Sequence, residues 1–134
     1  MNKYSYPAIF TPEESGAFSI NFPDLESCYT CGDSLADGIL MAEDVLSFVL
    51  YNYEKEGKTI PSPSPLSEIQ LEDNEFVNYI ACDTLSYRKR FANAAVKKTL
   101  TIPSWLNEEA TALGINFSQV LQEALLGKIT HQKR

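Results

Sequence analysis

The sequence predicts an α+β fold: an N-terminal antiparallel sheet of three to four strands with one long helix, then a separate strand–helix–helix unit. Three observations predict it. Apolar residues recur at every second position through the first 31 residues, the period of a half-buried strand. Over residues 32–57 the spacing changes to three and four, the period of an amphipathic helix. Charge also changes sign along the chain, which totals −7 over 134 residues. Residues 1–85 hold 15 Asp and Glu against three Lys, a net −12, whereas residues 86–134 hold eight Lys and Arg against three Glu, a net +5. A block at −12 repels nucleic acid and attracts basic surfaces, and a block at +5 does the reverse. The expected domains are therefore residues 1–83 and 96–134, with 84–95 as the linker across the charge change.

In order, "KYSYPAIF" (3–10) alternates around Tyr4, Tyr6, Ala8 and Phe10 and reads as a strand. Pro7 lacks an N–H for a ladder, so an edge or a bulge is expected there. "TPEESG" (11–16) supplies turn residues, and "AFSINF" (17–22) places Phe18, Ile20 and Phe22 on one face. "PDLES" breaks that run, and "SCYTC" (27–31) is a short third strand. In residues 32–57, Ser34 is the expected cap, paired with Asp37 three residues on. Leu35, Ile39, Ala42, Leu46, Val49 and Tyr53 form the expected stripe, and Gly57 is the expected stop. This helix should cover the sheet, since neither apolar face is stable in water. "KTIPSPSPLSE" (58–68) reads as an extended loop, and "EFVNYIACD" (75–83) as the fourth strand.

Beyond the linker come the alternating "VKKTLTIP" (96–103) and two short amphipathic stretches. "SWLNEEATALG" (104–114) carries Leu106, Ala110 and Leu113 on one stripe; "NFSQVLQEALLGKI" (116–129) carries Phe117, Val120, Leu121, Ala124 and Leu125 on another. A unit of this size is too small to stabilise its own core. Two copies pairing their strands antiparallel would pool four helices around one interior, as the β-ribbon readers of the DNA major groove do. Leu100, Ile102, Leu106, Val120 and Leu121 would then form the dimer core. Lys97, Thr99 and Thr101 would point outward to base edges, where lysine bonds guanine and threonine offers both a hydroxyl and a methyl. Trp105 suits neither slot and is expected to pack at a domain or dimer boundary.

"KKTLTIP", the proline at the first helix and "GINFSQ" (114–119) at the turn into the second resemble the ribbon-helix-helix family. The resemblance implies that the second helix's N-terminus grips a phosphate. Free amides and the helix dipole at Asn116, Phe117 and Ser118 favour an anion there. Asn116 with Gln119 is itself a capping-box pattern.

"FPDLESCYTCGDSLADGILMAEDVL" (22–46), "IPSPS" (60–64) and "VKKTLTIPSWLNEEA" (96–110) together resemble the HicB antitoxin family, in that family's order. The resemblance implies a degenerate RNase H-like front domain that blocks HicA, a small basic mRNA-cleaving toxin. It also implies a tail that binds double-stranded operator DNA as a homodimer, in a heterotetramer or larger assembly with toxin. The family often has Pro-Gly where this chain has Glu26-Ser27. Acidic groups suit a basic partner, and Asp24, Glu26, Asp33 and Asp37 around the strand–helix junction are the toxin-facing candidates. The rival reading is a stand-alone ribbon-helix-helix regulator whose front domain senses a ligand.

Catalysis is not expected. RNase H chemistry needs carboxylates clustered around two Mg²⁺ ions; the first strand has none, and Glu43 and Asp44 are helix neighbours set apart from Asp83. His131, the single histidine, lies in the basic tail, so neither a His-dependent nuclease nor a metal or cofactor site is expected. "CYTC" (28–31) has no second pair to complete a zinc site, and on a strand its thiols face opposite ways. Three cysteines, an N-terminus without an apolar signal core and no bilayer-length apolar run point to a cytoplasmic protein without a membrane segment.

Overall fold

The computed structural model describes residues 2–132; the last two residues of the expected 96–134 domain lie outside these. The elements run β1 (Lys3–Pro12), β2 (Phe18–Asn21), β3 (Tyr29–Gly32), α1 (Leu35–Glu56), β4 (Phe76–Asp83), α2 (Thr84–Phe91), α3 (Ser104–Ala112) and α4 (Phe117–Gln132). The chain divides into two units, one ending at Asn93 and one beginning at Ala94. No described helix is long and apolar enough to cross a membrane.

The first unit is α+β, a four-stranded antiparallel sheet in the order β3-β2-β1-β4. The predicted alternation sets its inner face. Tyr6, Ala8 and Phe10 of β1, Ile20 of β2 and Ile80 and Cys82 of β4 are buried with Ala42, Leu46 and Leu50 of α1. Phe10, Phe18 and Phe76 meet edge to face or tilted, with ring centroids 5.5–6.2 Å apart.

β1 is an inner strand rather than the edge that Pro7 suggests. The ladder explains why proline is tolerated: β4 pairs with Lys3–Phe10, while β2 begins only at Ile9. At Pro7 the strand has β4 alone as neighbour, so a missing N–H disrupts no ladder on the other side.

Helix α1 starts and stops where its caps dictate. Ser34 Oγ accepts from the Asp37 N–H at 3.1 Å, and the Asp37 carboxylate accepts from the Asp33 N–H at 2.9 Å. Gly57 adopts φ +70°, and the N–H groups of Gly57 and Lys58 return to Glu54 and Tyr53 carbonyls. Only a residue without Cβ takes that conformation without strain.

The buried stripe of α1 differs from the expected one at its start. Leu35 and Ile39 are 44% and 38% exposed, and Gly38 is buried instead. A Cβ on Gly32 would lie 2.4 Å from Gly38 Cα. The helix therefore enters against β3 backbone to backbone, and Leu35 and Ile39 rotate outward. Ala42, Leu46, Val49 and Tyr53 pack against the sheet as the stripe predicts, joined by Leu50.

Residues 84–95, expected to be a linker, contain α2. Asp83 Oδ1 caps this helix by accepting from the Leu85 N–H at 3.0 Å. Thr84 is fully buried, its N–H donating to the Asn2 carbonyl at 2.8 Å. Glu54 of α1 accepts from Tyr4, Thr84 and Arg88 at 2.7, 2.9 and 2.5 Å, tying β1, α1 and α2 together. A carboxylate with an ion pair and two hydroxyl donors is a stable way to half-bury charge. The Tyr4 phenol is pushed well above its usual range by desolvation and by the Glu54 carboxylate.

Ser27 takes φ +54°, the left-handed region. This is the turn where Glu26-Ser27 stands in place of Pro-Gly, and it keeps the glycine-like geometry. Left-handed backbone costs an L residue roughly 1–2 kcal/mol, against roughly 0.5–1 kcal/mol of extra chain entropy for glycine. Ser27→Gly should therefore raise stability by about 0.5–1 kcal/mol in urea unfolding, with an unchanged m-value.

Candidate interaction surfaces

The second unit folds locally but buries nothing. Pro103 precedes α3, and α3 ends where Gly114, at φ +69°, turns the chain so that the Ile115 N–H reaches the Ala110 carbonyl at 3.1 Å. Asn116 then opens α4: its Oδ1 accepts from the Gln119 N–H at 3.1 Å, and its carbonyl from the Val120 N–H at 3.1 Å. This is the Asn116 half of the expected capping box; the Gln119 side chain donates to Glu123 at 3.3 Å rather than turning back to the cap. No described residue from Ala92 through His131 is buried.

The expected strand at 96–102 has no regular secondary structure in the single chain. A strand needs a neighbour to form its ladder, and no described strand pairs with this segment. An open groove of about 650 Å³ runs between this segment and the two helices. All five residues expected in a dimer core line it: Leu100, Ile102, Leu106, Val120 and Leu121. Lys98, Ala110, Ile115 and Phe117 lie along it as well. Lys97, Thr99 and Thr101 are exposed and line none of it. The alternation read from "KKTLTIP" thus divides the segment in space as it does in sequence. Trp105 is 65% exposed and also outside the groove.

At the start of α4, no acceptor among the described residues takes the N–H groups of Phe117 and Ser118. Two unspent amides at a helix N-terminus are suited to hold an anion. Phe117 and Ser118 both also line the groove.

In the first unit, the four acidic candidates separate into two kinds. Asp24 accepts from both the N–H and the hydroxyl of Ser64, the first at 2.9 Å, and so holds the 58–75 loop to the β2–β3 turn. Tyr6 donates to the Pro61 carbonyl in the same loop. Asp37 is committed to the cap of α1. Glu26 and Asp33 are exposed, and the Asp33 contact is through its backbone N–H rather than its carboxylate. The signal for the Asp24 role was legible as "SPSP" facing "PDLE", but sequence does not say which carboxylate meets which serine.

Asp83 is occupied as the cap of α2, while Glu43 and Asp44 are exposed on α1. Among the described residues, no group of three or more His, Cys, Asp or Glu is arranged to hold a metal ion. Cys28 is buried and Cys31 exposed. Burial pushes the Cys28 thiol up to about 12 and that of Cys82 up to about 11, so neither is a neutral-pH nucleophile.

Sequence and fold comparisons agree on the kind of protein this resembles. The model of a family described as the HicB-like antitoxin of bacterial toxin–antitoxin systems matches residues 6–123. Antitoxin HicB 1 of Photorhabdus laumondii is 32% identical over 63 residues, 47% of this chain and 41% of that protein. Antitoxin HicB of Escherichia coli K12 is 32% identical over 62 residues, 46% of this chain and 45% of that protein. Each match thus spans less than half the length of the curated relative. Among solved structures, a toxin–antitoxin complex from Streptococcus pneumoniae superposes with a TM-score of 0.62 at 25% identity, covering 94% of this chain and 99% of that one.

Proposed function

The chain belongs to the HicB-like antitoxin family, and from that premise we propose that it neutralises a small basic HicA-like toxin and represses its own operon as a DNA-binding dimer. The observation that carries this reading is the family match from residue 6 to residue 123, which enters both units of the chain. Neutralisation requires no chemistry from the antitoxin, only occlusion of the toxin's RNA-cleaving site, and mRNA cleavage assigns both proteins to the cytoplasm. The first unit supplies the acidic surface a basic toxin would meet. Glu26 and Asp33 are its free carboxylates near the strand–helix junction, and charge complementarity would mainly speed association and exclude wrong partners.

Equimolar purified chain should stop RNA cleavage by a HicA-like toxin from the same genome. Undiminished cleavage at tenfold excess would overturn neutralisation.

For the second unit the reading is a ribbon-helix-helix. Residues 96–102 of two chains pair antiparallel, the grooves close on each other, and Lys97, Thr99 and Thr101 enter the major groove. Amides of Phe117 and Ser118, oriented by Asn116, hold a phosphate on each side. The division of the 96–102 segment between groove-lining and exposed residues supports this assignment. A Lys97→Ala, Thr99→Ala double variant should lose promoter binding in a mobility-shift assay, at roughly 1–3 kcal/mol per base contact. Wild-type affinity in that assay would remove the ribbon from the account.

A further inference from the structure

Helix α2 carries a charge pattern that neither proposed activity uses. Its last turn holds Arg88, Lys89 and Arg90 in succession, in a unit whose remaining residues are strongly acidic. A helix C-terminus favours a cation, and one would suffice. Arg88 is already committed to Glu54 at 2.5 Å and lies over the Tyr51 ring at 5.8 Å. Lys89 and Arg90 are exposed and make no ion pair among the described residues, although Arg90 lies over the Phe91 ring at 5.0 Å.

The helix is also held firmly. Tyr51, Tyr87 and Phe91 stack in series, with centroids 5.4 and 4.6 Å apart, and Asp83 caps the first turn. On a fixed helix, cations that meet an anion need no backbone ordering, though each side chain still gives up rotamer freedom.

We propose that Lys89 and Arg90 of α2 form a second, sequence-independent contact with the phosphate backbone of DNA flanking the operator core. This deepens the operator reading and rests on it. Contour length supports the assignment without reference to any relative placement of the two units. Phe91 and Lys97 are six residues apart, so at about 3.6 Å per residue the end of α2 stays within roughly 22 Å of a groove-bound Lys97. At 3.4 Å per base pair that span is about six base pairs. In any complex with Lys97 in the groove, α2 is therefore tethered within reach of flanking phosphates. The rest of the first unit would be repelled by them, leaving α2 as the face that can approach. Such contacts orient the protein and add affinity without reading bases.

The test uses the full chain and the duplex upstream of its own reading frame, prepared in two lengths. One is trimmed to the core footprinted by the Lys89→Ala, Arg90→Ala variant and the other carries ten further base pairs on each side. The Lys89→Ala, Arg90→Ala variant should bind the short duplex as wild type does, yet lose the gain that wild type draws from the flanks. Four lost phosphate contacts per dimer, at about 0.9 each, should make the slope of log K against log salt shallower by three to four on the long duplex. Equal slopes and equal affinities for wild type and variant on the long duplex would overturn the proposal. So would failure of wild type to bind either duplex. Loss of binding by Lys97→Ala, Thr99→Ala together with equal slopes for the α2 variant would sink the α2 contact alone. Unchanged binding by Lys97→Ala, Thr99→Ala would sink the ribbon and the tether argument with it. Charge reversal, Lys89→Glu with Arg90→Glu, should turn the gain from the flanks into a penalty; matching thermal melts confirm that the fold is intact.

Discussion

Replacing Leu100 and Ile102 together by aspartate should give a chain that sediments as a monomer and shifts no operator DNA at micromolar concentration. In the single chain these two side chains are 60% and 43% exposed, although they line an apolar groove with Leu106, Val120 and Leu121. A surface of that kind persists only if a partner covers it. On the proposed reading a second copy is that partner, because it also gives the 96–102 segment a strand to pair with, and an isolated strand leaves its backbone groups without a ladder. Four aspartates per dimer would face each other across a dry interior. Each would carry a desolvation penalty of several kcal/mol, more than a small interface can offset. If the proposed reading strands exist only as a pair, operator affinity should fall by more than a hundredfold. The first unit has its own core around Phe10, Ile20 and Leu46, so its thermal transition should survive. A variant that still sedimented as a dimer would place the interface elsewhere and dissolve the link between assembly and DNA reading.

How much of this was legible in the sequence depends on whether the signal was periodic. The β1, β2 and β3 strands and α1 follow from spacing, and the Ser34 and Gly57 caps from residue type, because each rests on local backbone chemistry. In the tail, the alternation over 97–102 matches which side chains line the groove, Leu100 and Ile102 but not Lys97, Thr99 and Thr101, while the strand it predicts is not formed in the single chain. Helix α2 was missed because its charge reversal read as a boundary. The cap was present in "CDTLS", where Asp83 precedes the first turn. The role of Asp24 was hidden more deeply, since turn and interface both use the same carboxylate and only contacts distinguish them. The start of the α1 stripe failed for a different reason. A hydrophobic pattern credits Leu35 and Ile39 with burial, and has no means of crediting a glycine.

That glycine contact sets the largest stability effect expected in the first unit, from Gly32→Val. Gly32 ends β3, opposite Phe18 in the ladder, and Gly38 begins the buried face of α1. A Cβ at Gly32 would meet Gly38 Cα and N at 2.4 Å and the Asp37 carbonyl carbon at 2.9 Å. These are backbone atoms, so no rotamer change relieves the collision. The helix must lift away from the sheet, and its first turn also carries the Ser34–Asp37 cap. Lifting α1 opens space beside Phe10 and Ile20, which lie under Gly38. Overpacking of this kind commonly costs 1–3 kcal/mol, and the branched valine at a backbone contact should reach about 3 kcal/mol. A domain of this size has only roughly 5–15 kcal/mol in hand. Urea unfolding should show the lost stability directly. Gly38→Ala should be far milder, since its Cβ meets the movable Ile20 Cδ1 at 3.1 Å and no backbone. Equal tolerance of the two substitutions would mean that α1 and β3 do not touch backbone to backbone. The inward face of Gly38 and the outward turn of Leu35 and Ile39 would then need another cause.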